Sequence, residues 1–157
     1  MSVGTHVDGA EEREAMTQEI PQAVAASLRE WHRMIATGDL AALPALLRAD
    51  AVFRSPAASR PYHGAPAVAL ILRTAFGVFK GFVYERQFFT ADGHDAALEF
   101  RAEVGDRRLK GIDLIRFDAD GRIVDFEVMI RPLSGLQALA EEMGLRLAAA
   151  MPGAAPA

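Results

Sequence analysis

From Phe82 onward the hydrophobic period of this 157-residue chain changes from 3.6 to 2, and it stays at 2 as far as Arg131. This change constrains the fold most strongly, because four successive runs with a period of 2 lay down strands rather than helices. The runs cover 82–90, 96–104, 109–117 and 123–131. They are separated by turn sequences: Asp92-Gly93, the two-residue loop Gly105-Asp106, and Asp120-Gly121. Strands joined this tightly pair antiparallel.

Helical periods come before this block. Val24, Leu28, Trp31 and Ile35 make one apolar stripe over 20–37, with Pro21 in the first turn and Gly38 at the end. Asp39 caps a second helix predicted over 40–48, which Pro44 kinks or renders irregular. A short strand at 51–55 stops at Pro56, and 56–64 reads as a loop. A third helix covers 66–79, with Val68, Ile71, Leu72, Ala75 and Phe79 inward, and Gly81 ends it. After the strands, Pro132 opens a last helix. Its apolar face of Leu133, Leu136, Ala140, Met143 and Leu147 suits either a pocket lid or a partner subunit. The order predicts an α+β domain: a mostly antiparallel sheet on N-terminal helices, with a C-terminal helix. Residues 1–17 and 149–157 are predicted to be disordered, which leaves one domain over 18–148.

Composition narrows the function classes. Half the residues (51%) are hydrophobic, which marks a globular chain. Without cysteine, disulfides, thiolate metal sites and cysteine nucleophiles are excluded. A net charge of -4 with no long basic run argues against nucleic acid as a partner. No apolar run approaches the roughly 18 residues of a membrane span, and residues 1–10 lack a signal-peptide pattern. A cytoplasmic setting without membrane contact is expected. Lys80 and Lys110 are the only lysines among many arginines and alanines, as in a GC-rich bacterial genome.

Asp113 stands out, a carboxylate in mid-strand between Ile112 and Leu114. If Gly105-Asp106 is the whole loop, Val104 pairs with Arg107, Phe100 with Gly111 and Leu98 with Asp113. Cross-strand partners share a face, so Asp113 joins Leu98, Phe100, Ala102 and Ile115. Glu99, Arg101, Glu103, Lys110 and Arg116 fall on the opposite, charged face. A one-residue slip would reverse this assignment. Val124, Phe126, Val128 and Ile130 extend the apolar wall, and Gly111 leaves room for a ligand beside Asp113. A carboxyl on an apolar face has a raised pKa and is a candidate acid or base.

Other side chains are weaker candidates. Trp31 is a pocket wall with an N–H donor, or core. Tyr84 supplies a phenol to the pocket, or packs. His63, in the loop before the third helix, is a second acid/base group, or a helix-capping residue. His32 and His94 read as helix-edge and turn residues, and Arg54 and Arg60 as solvated. Asp118-Ala119-Asp120-Gly121 is too short for a calcium loop, and no spacing fits zinc. No metal or cofactor is expected.

The order of elements, the junction Thr37-Gly38-Asp39-Leu40, the strand Ala51-Val52-Phe53-Arg54-Ser55-Pro56 and the stretch from Gly111 to Val124 resemble the nuclear transport factor 2-like superfamily. The resemblance covers about residues 20–131 and points to the SnoaL-like polyketide cyclase and ketosteroid isomerase branch. It implies a cone-shaped domain around an apolar pocket, and a homodimer formed through the outer sheet face. Asp113 falls on the pocket aspartate of that branch. The isomerase's general-base position falls on Ser55 and its oxyanion tyrosine on Trp31, so two of three catalytic positions depart. The epoxide-hydrolase pattern of one Arg and two Asp is met only at Asp113. The resemblance thus implies a pocket protein for an apolar small molecule, of cyclase or isomerase type with Asp113 as acid/base, and with Trp31, Ser55, His63, Tyr84, Phe100 and Phe126 as binding residues. Fold alone does not choose between this, a non-catalytic binder and a dimeric interaction module.

Overall fold

The computed structural model describes residues 19–150. The elements are α1 (Gln22–Thr37), α2 (Leu43–Leu46), β1 (Leu47–Arg54), β2 (Tyr62–His63), α3 (Ala65–Val78), β3 (Lys80–Phe89), β4 (Asp95–Val104), β5 (Arg107–Phe117), β6 (Ile123–Arg131) and α4 (Leu133–Ala150). The strands form one six-stranded mixed sheet in the order β2-β1-β6-β5-β4-β3. The expected α+β architecture holds. Every neighbouring pair is antiparallel except β1 and β6, because the chain reaches β6 only after crossing α3 and the three other long strands. The segments predicted to be disordered lie outside the described residues, except that Ala149 and Ala150 belong to α4.

The β4–β5 hairpin has the register that the two-residue loop dictates. Val104 faces Arg107, Phe100 faces Gly111, and Leu98 faces Asp113. Gly105 supplies the positive φ of 57° that this turn requires. The other hairpin is pinned to α1. Asp118 Oδ1 accepts the backbone N–H groups of Asp120 and Arg122, and Ser27 Oγ donates to the Gly121 carbonyl at 2.5 Å. Asp118 therefore shapes a turn.

Local chemistry overrules the sequence reading in four places. The helix predicted over 40–48 is only four residues long, and β1 begins at Leu47. Pro44 is tolerated in the first turn of so short a helix. The loop predicted over 56–64 contains β2, which pairs with β1 through Val52–His63 and Phe53–Tyr62. On β6 the register shifts between Arg116 and Phe117, so Ile123 rather than Val124 is the fully buried residue opposite Phe117. Gly81 does not end α3; it lies in β3 with a positive φ of 59°.

The main core lies between the sheet and α1 and α3, where Val24, Leu28, Met34, Val68 and Ile71 meet Leu98, Ile115 and Phe126. A second cluster at the other end gathers Val78, Phe100, Ala102, Val104 and Leu109 under Leu139 of α4. No helix among the described residues is long and apolar enough to cross a membrane.

Candidate functional site

Between the concave face of the sheet and the helices lies a cavity of about 410 Å³. Its walls come from every layer: Trp31 and Ile35 of α1, Phe53 of β1, Phe76 of α3, Tyr84 of β3, Phe100 of β4, and Phe126, Val128 and Ile130 of β6. One side is closed by α4, whose Leu136, Ala140, Met143 and Leu147 all border the space. The apolar stripe of the last helix borders the chain's own cavity, where the lid reading puts it. Leu133, counted on that stripe, is instead exposed.

Asp113 reaches this space from β5 and is only 5% exposed. Its Oδ2 accepts a hydrogen bond from the Tyr84 hydroxyl at 2.5 Å. That hydroxyl accepts one from Trp31 Nε1 at 2.9 Å. No partner binds Oδ1 among the described residues, yet no fully buried side-chain polar atom there goes unsatisfied. Oδ1 is therefore the oxygen that a cavity occupant would meet. Burial drives the Asp113 carboxyl from its ordinary 3.8 up to about 7, against the downward pull of the Tyr84 hydrogen bond. The phenol is pushed up as well, first by burial and then by the Asp113 charge. A carboxyl that titrates near neutrality is suited to both giving and taking a proton.

Six of the seven residues singled out from the sequence border this cavity: Trp31, Ser55, Tyr84, Phe100, Asp113 and Phe126. His63 does not, and is exposed. Its neighbour Tyr62 is the cross-strand partner of Phe53 and turns inward, so alternation turns His63 outward. Two finer expectations fail. The Trp31 N–H is no free donor, because it is committed to Tyr84. The space beside Gly111 is no ligand approach, because a Cβ there would lie 2.7 Å from Phe100 Cε1 and 2.7 Å from the Met129 carbonyl. The Phe100 ring fills the glycine's place, as aromatics do across from strand glycines.

The remaining candidates lie apart from the cavity. Arg54 pairs with Asp125 at 3.0 Å. His32 meets the Tyr84 ring edge-on with centroids 5.3 Å apart and contacts Gln87. His94 sits in its turn beside the Asp92 carbonyl. Among the described residues no group of three or more His, Cys, Asp or Glu side chains converges as a metal-ligand set. Sequence reading missed Tyr62 as a cavity residue. A two-residue strand leaves no periodic signal, and Tyr62 shows itself only through its pairing with Phe53.

Comparison with known proteins bears on the same region. The SnoaL-like domain family matches residues 28–126. A steroid delta-isomerase from Pseudomonas aeruginosa is 60% identical over 86% of this chain and 98% of its own, with a TM-score of 0.83. An uncharacterized protein with a cystatin-like fold from Silicibacter pomeroyi is 34% identical over 80% of this chain and 88% of its own, with a TM-score of 0.74. SalBIII, an epoxide hydrolase/cyclase-like enzyme of pyran ring formation in the polyether salinomycin, shares the fold at 18% identity and a TM-score of 0.59, over 73% of this chain and 94% of its own. No curated protein matches the chain. With its nuclear transport factor 2-like fold and a family match across most of its length, the chain belongs to the SnoaL-like domain family.

Proposed function

We propose that the protein is an isomerase-type enzyme that moves a proton on the carbon next to the carbonyl of an apolar small molecule, with Asp113 as the acid/base group. One observation carries this reading: a single carboxyl borders an otherwise largely apolar cavity, titrates near 7, and keeps one oxygen open. In its ionised form Asp113 takes a proton from the carbon next to the carbonyl, which leaves a dienolate, and the carboxylic acid so formed returns that proton to the far carbon of the conjugated system, so that the carboxylate is regenerated. Tyr84 holds the carboxyl in place, and Phe100 and Phe126 wall the substrate. The cavity volume falls within the usual range for small-molecule sites. A similar protein that is named a steroid delta-isomerase favours a fused-ring ketone as the substrate class. The proton transfer requires no cofactor.

We further infer a cytoplasmic homodimer. Val83, Phe88, Ile112 and Met129 are large apolar side chains exposed on the sheet strands away from the cavity. A second copy of the same face would cover them, and the mass in solution tests this.

The decisive experiment follows hydrogen–deuterium exchange beside the carbonyl of androst-5-ene-3,17-dione in D₂O, together with its conversion to the conjugated ketone. The expected result is catalysed exchange that falls at least a hundredfold in Asp113→Asn, the scale of one lost acid/base group. Absence of exchange, or an Asp113→Asn variant as active as the parent, overturns the reading.

A further inference from the structure

Of the residues that border the cavity, those exposed to solvent are Ala57, Gly144 and Ala148; the others are buried or half-buried. The cavity therefore meets water at two segments, the turn that follows β1 and the second half of α4. Both carry small side chains there.

The two rims are built differently. On the β1 side, Ser55 Oγ accepts the Ala57 backbone N–H at 3.1 Å and Pro56 restricts the backbone between them, so the turn is held in shape. On the other side, α4 is fastened at its start. Gly135 packs so closely that a Cβ there would lie 2.8 Å from Leu109 Cβ, and Leu139 is buried in the same cluster as Leu109. One turn later the grip loosens: Met143 and Leu147 are half-buried, and Leu145 is 71% exposed. Ala140, Gly144 and Ala148 recur every fourth residue, so they share one edge of the helix. A glycine inside a helix weakens it. Packing does not demand one at 144, because a Cβ there would meet nothing within 4 Å. The glycine instead leaves the rim bare.

The opening leads to the polar part of the cavity. β1 and β6 run parallel, with Phe53 beside Phe126 and Arg54 beside Glu127. One residue further on, Ser55 falls beside Val128, which is the partner of Asp113 on β5. The rim thus starts in the same cross-sheet row as Asp113, two strand spacings of about 4.8 Å away. Asp113 is buried, and Oδ1, which has no partner among the described residues, is the polar atom that an entering molecule meets.

We propose that this opening is the ligand entrance, and that the small residues at positions 57, 144 and 148 limit the width of the molecules that pass through it. The ligand class that fits is an apolar molecule slim enough to go in end-on between the Ala57 turn and α4. Bulk added at the rim slows entry and exit alike, because the bound molecule lies deeper, among Phe53, Phe100 and Phe126. The entrance serves the cavity whether or not Asp113 moves a proton.

Stopped-flow mixing with N-phenyl-1-naphthylamine, a neutral apolar dye that brightens when it leaves water, measures both rates. Gly144→Leu and Ala57→Phe should each slow association and dissociation by about tenfold, so that the affinity given by their ratio changes little. Gly144→Leu puts a good helix former where space is open, so α4 keeps its fold. Ala149→Phe, exposed on the same helix but not bordering the cavity, should leave both rates at the parent's values. Parent rates in both rim variants, equal slowing in Ala149→Phe, or faster dissociation with unchanged association overturns the entrance. So does a parent protein that takes up no dye. The dye has no carbon next to a carbonyl, so the exchange experiment on Asp113 can fail while these rates stand, and the reverse.

Discussion

The Tyr84 hydroxyl lies 2.5 Å from Asp113 Oδ2 and 2.9 Å from Trp31 Nε1, so the phenol has one proton and one direction in which to give it. An indole nitrogen only donates, so the Tyr84 oxygen accepts from Trp31 and its hydrogen goes to the carboxylate. Trp31, which resembles the oxyanion donor position by sequence, thus acts on Asp113 only through Tyr84. The pair sets the carboxyl's orientation and its proton affinity together.

Tyr84→Phe should therefore move the titration of Asp113 upward. The lost hydrogen bond is the one influence that holds the carboxyl below the value burial alone would give. The Trp31 N–H also loses its partner, and a buried unsatisfied donor costs about 1–3 kcal/mol of stability. Carboxyl chemical shifts of Asp113 across pH check the first outcome, and urea unfolding checks the second. A midpoint at or below about 7 in the variant would show that the hydrogen bond does not favour the ionised form.

Asp113 also links stability to pH, with the sign of a raised acid. Between its ordinary 3.8 and its folded value of about 7 the native state holds a proton that the unfolded chain has lost. Stability therefore falls as pH rises through that window. The full penalty is on the order of 4 kcal/mol above the folded value. Asp113→Asn, which carries no charge at any pH, should flatten this dependence. It should match the parent near pH 4 and exceed it at pH 8. Denaturant midpoints for both proteins at four or five pH values measure the difference; parallel curves would exclude a buried ionisable Asp113.

Gly111→Ala should destabilise the β4–β5 hairpin by roughly 1–3 kcal/mol, the usual range for overpacking a tight core. The added methyl meets the Phe100 ring and the Met129 carbonyl, and the carbonyl belongs to a paired strand that cannot retreat. Gly111→Ala with Phe100→Leu should recover part of the loss, because a smaller side chain vacates the same spot. Thermal unfolding of the single and double variants decides it. Absence of coupling between the two changes would mean that Phe100 does not fill the glycine's place.

These residues also show how far the sequence could be read. The hairpin register was legible once Gly105-Asp106 was taken as the whole loop, which the Val104–Arg107 pairing bears out, and from it followed the face on which Asp113 lies. Helix–helix order and the lid stripe of α4 were legible from their periods. What remained hidden depends on contacts between segments far apart in the chain. The Trp31–Tyr84–Asp113 relay joins α1, β3 and β5. Tyr62 belongs to a strand of two residues, and the Phe100 ring occupies the gap that a glycine seems to leave open. Glu99 is the clearest case. Alternation assigned it correctly to the outer face, yet it is only 5% exposed.

The burial of Glu99 is produced by its own salt-bridge partners. Arg86 of β3 closes over one carboxylate oxygen, and Lys110 of β5 reaches the other at 2.9 Å. Lys110 also pairs with Glu85 at 3.3 Å, and Glu85 with Arg101 at 3.0 Å, so the charges form one network across three strands. The hydrogen bonds from Arg86 and then Lys110 hold the Glu99 carboxyl down at about 2. A lowered acid stabilises the fold above its unfolded value near 4.5 and loses that contribution as pH falls toward 2. Acid unfolding of the parent should therefore steepen below pH 4.5, whereas Glu99→Gln should be less stable at pH 7 and lose less stability than the parent between pH 4.5 and 2. High salt should weaken the difference little, because a covered carboxylate is screened less than an exposed one. If Glu99→Gln follows the parent's acid curve, the network does not hold this face of the sheet together, and the burial of Glu99 is without energetic consequence.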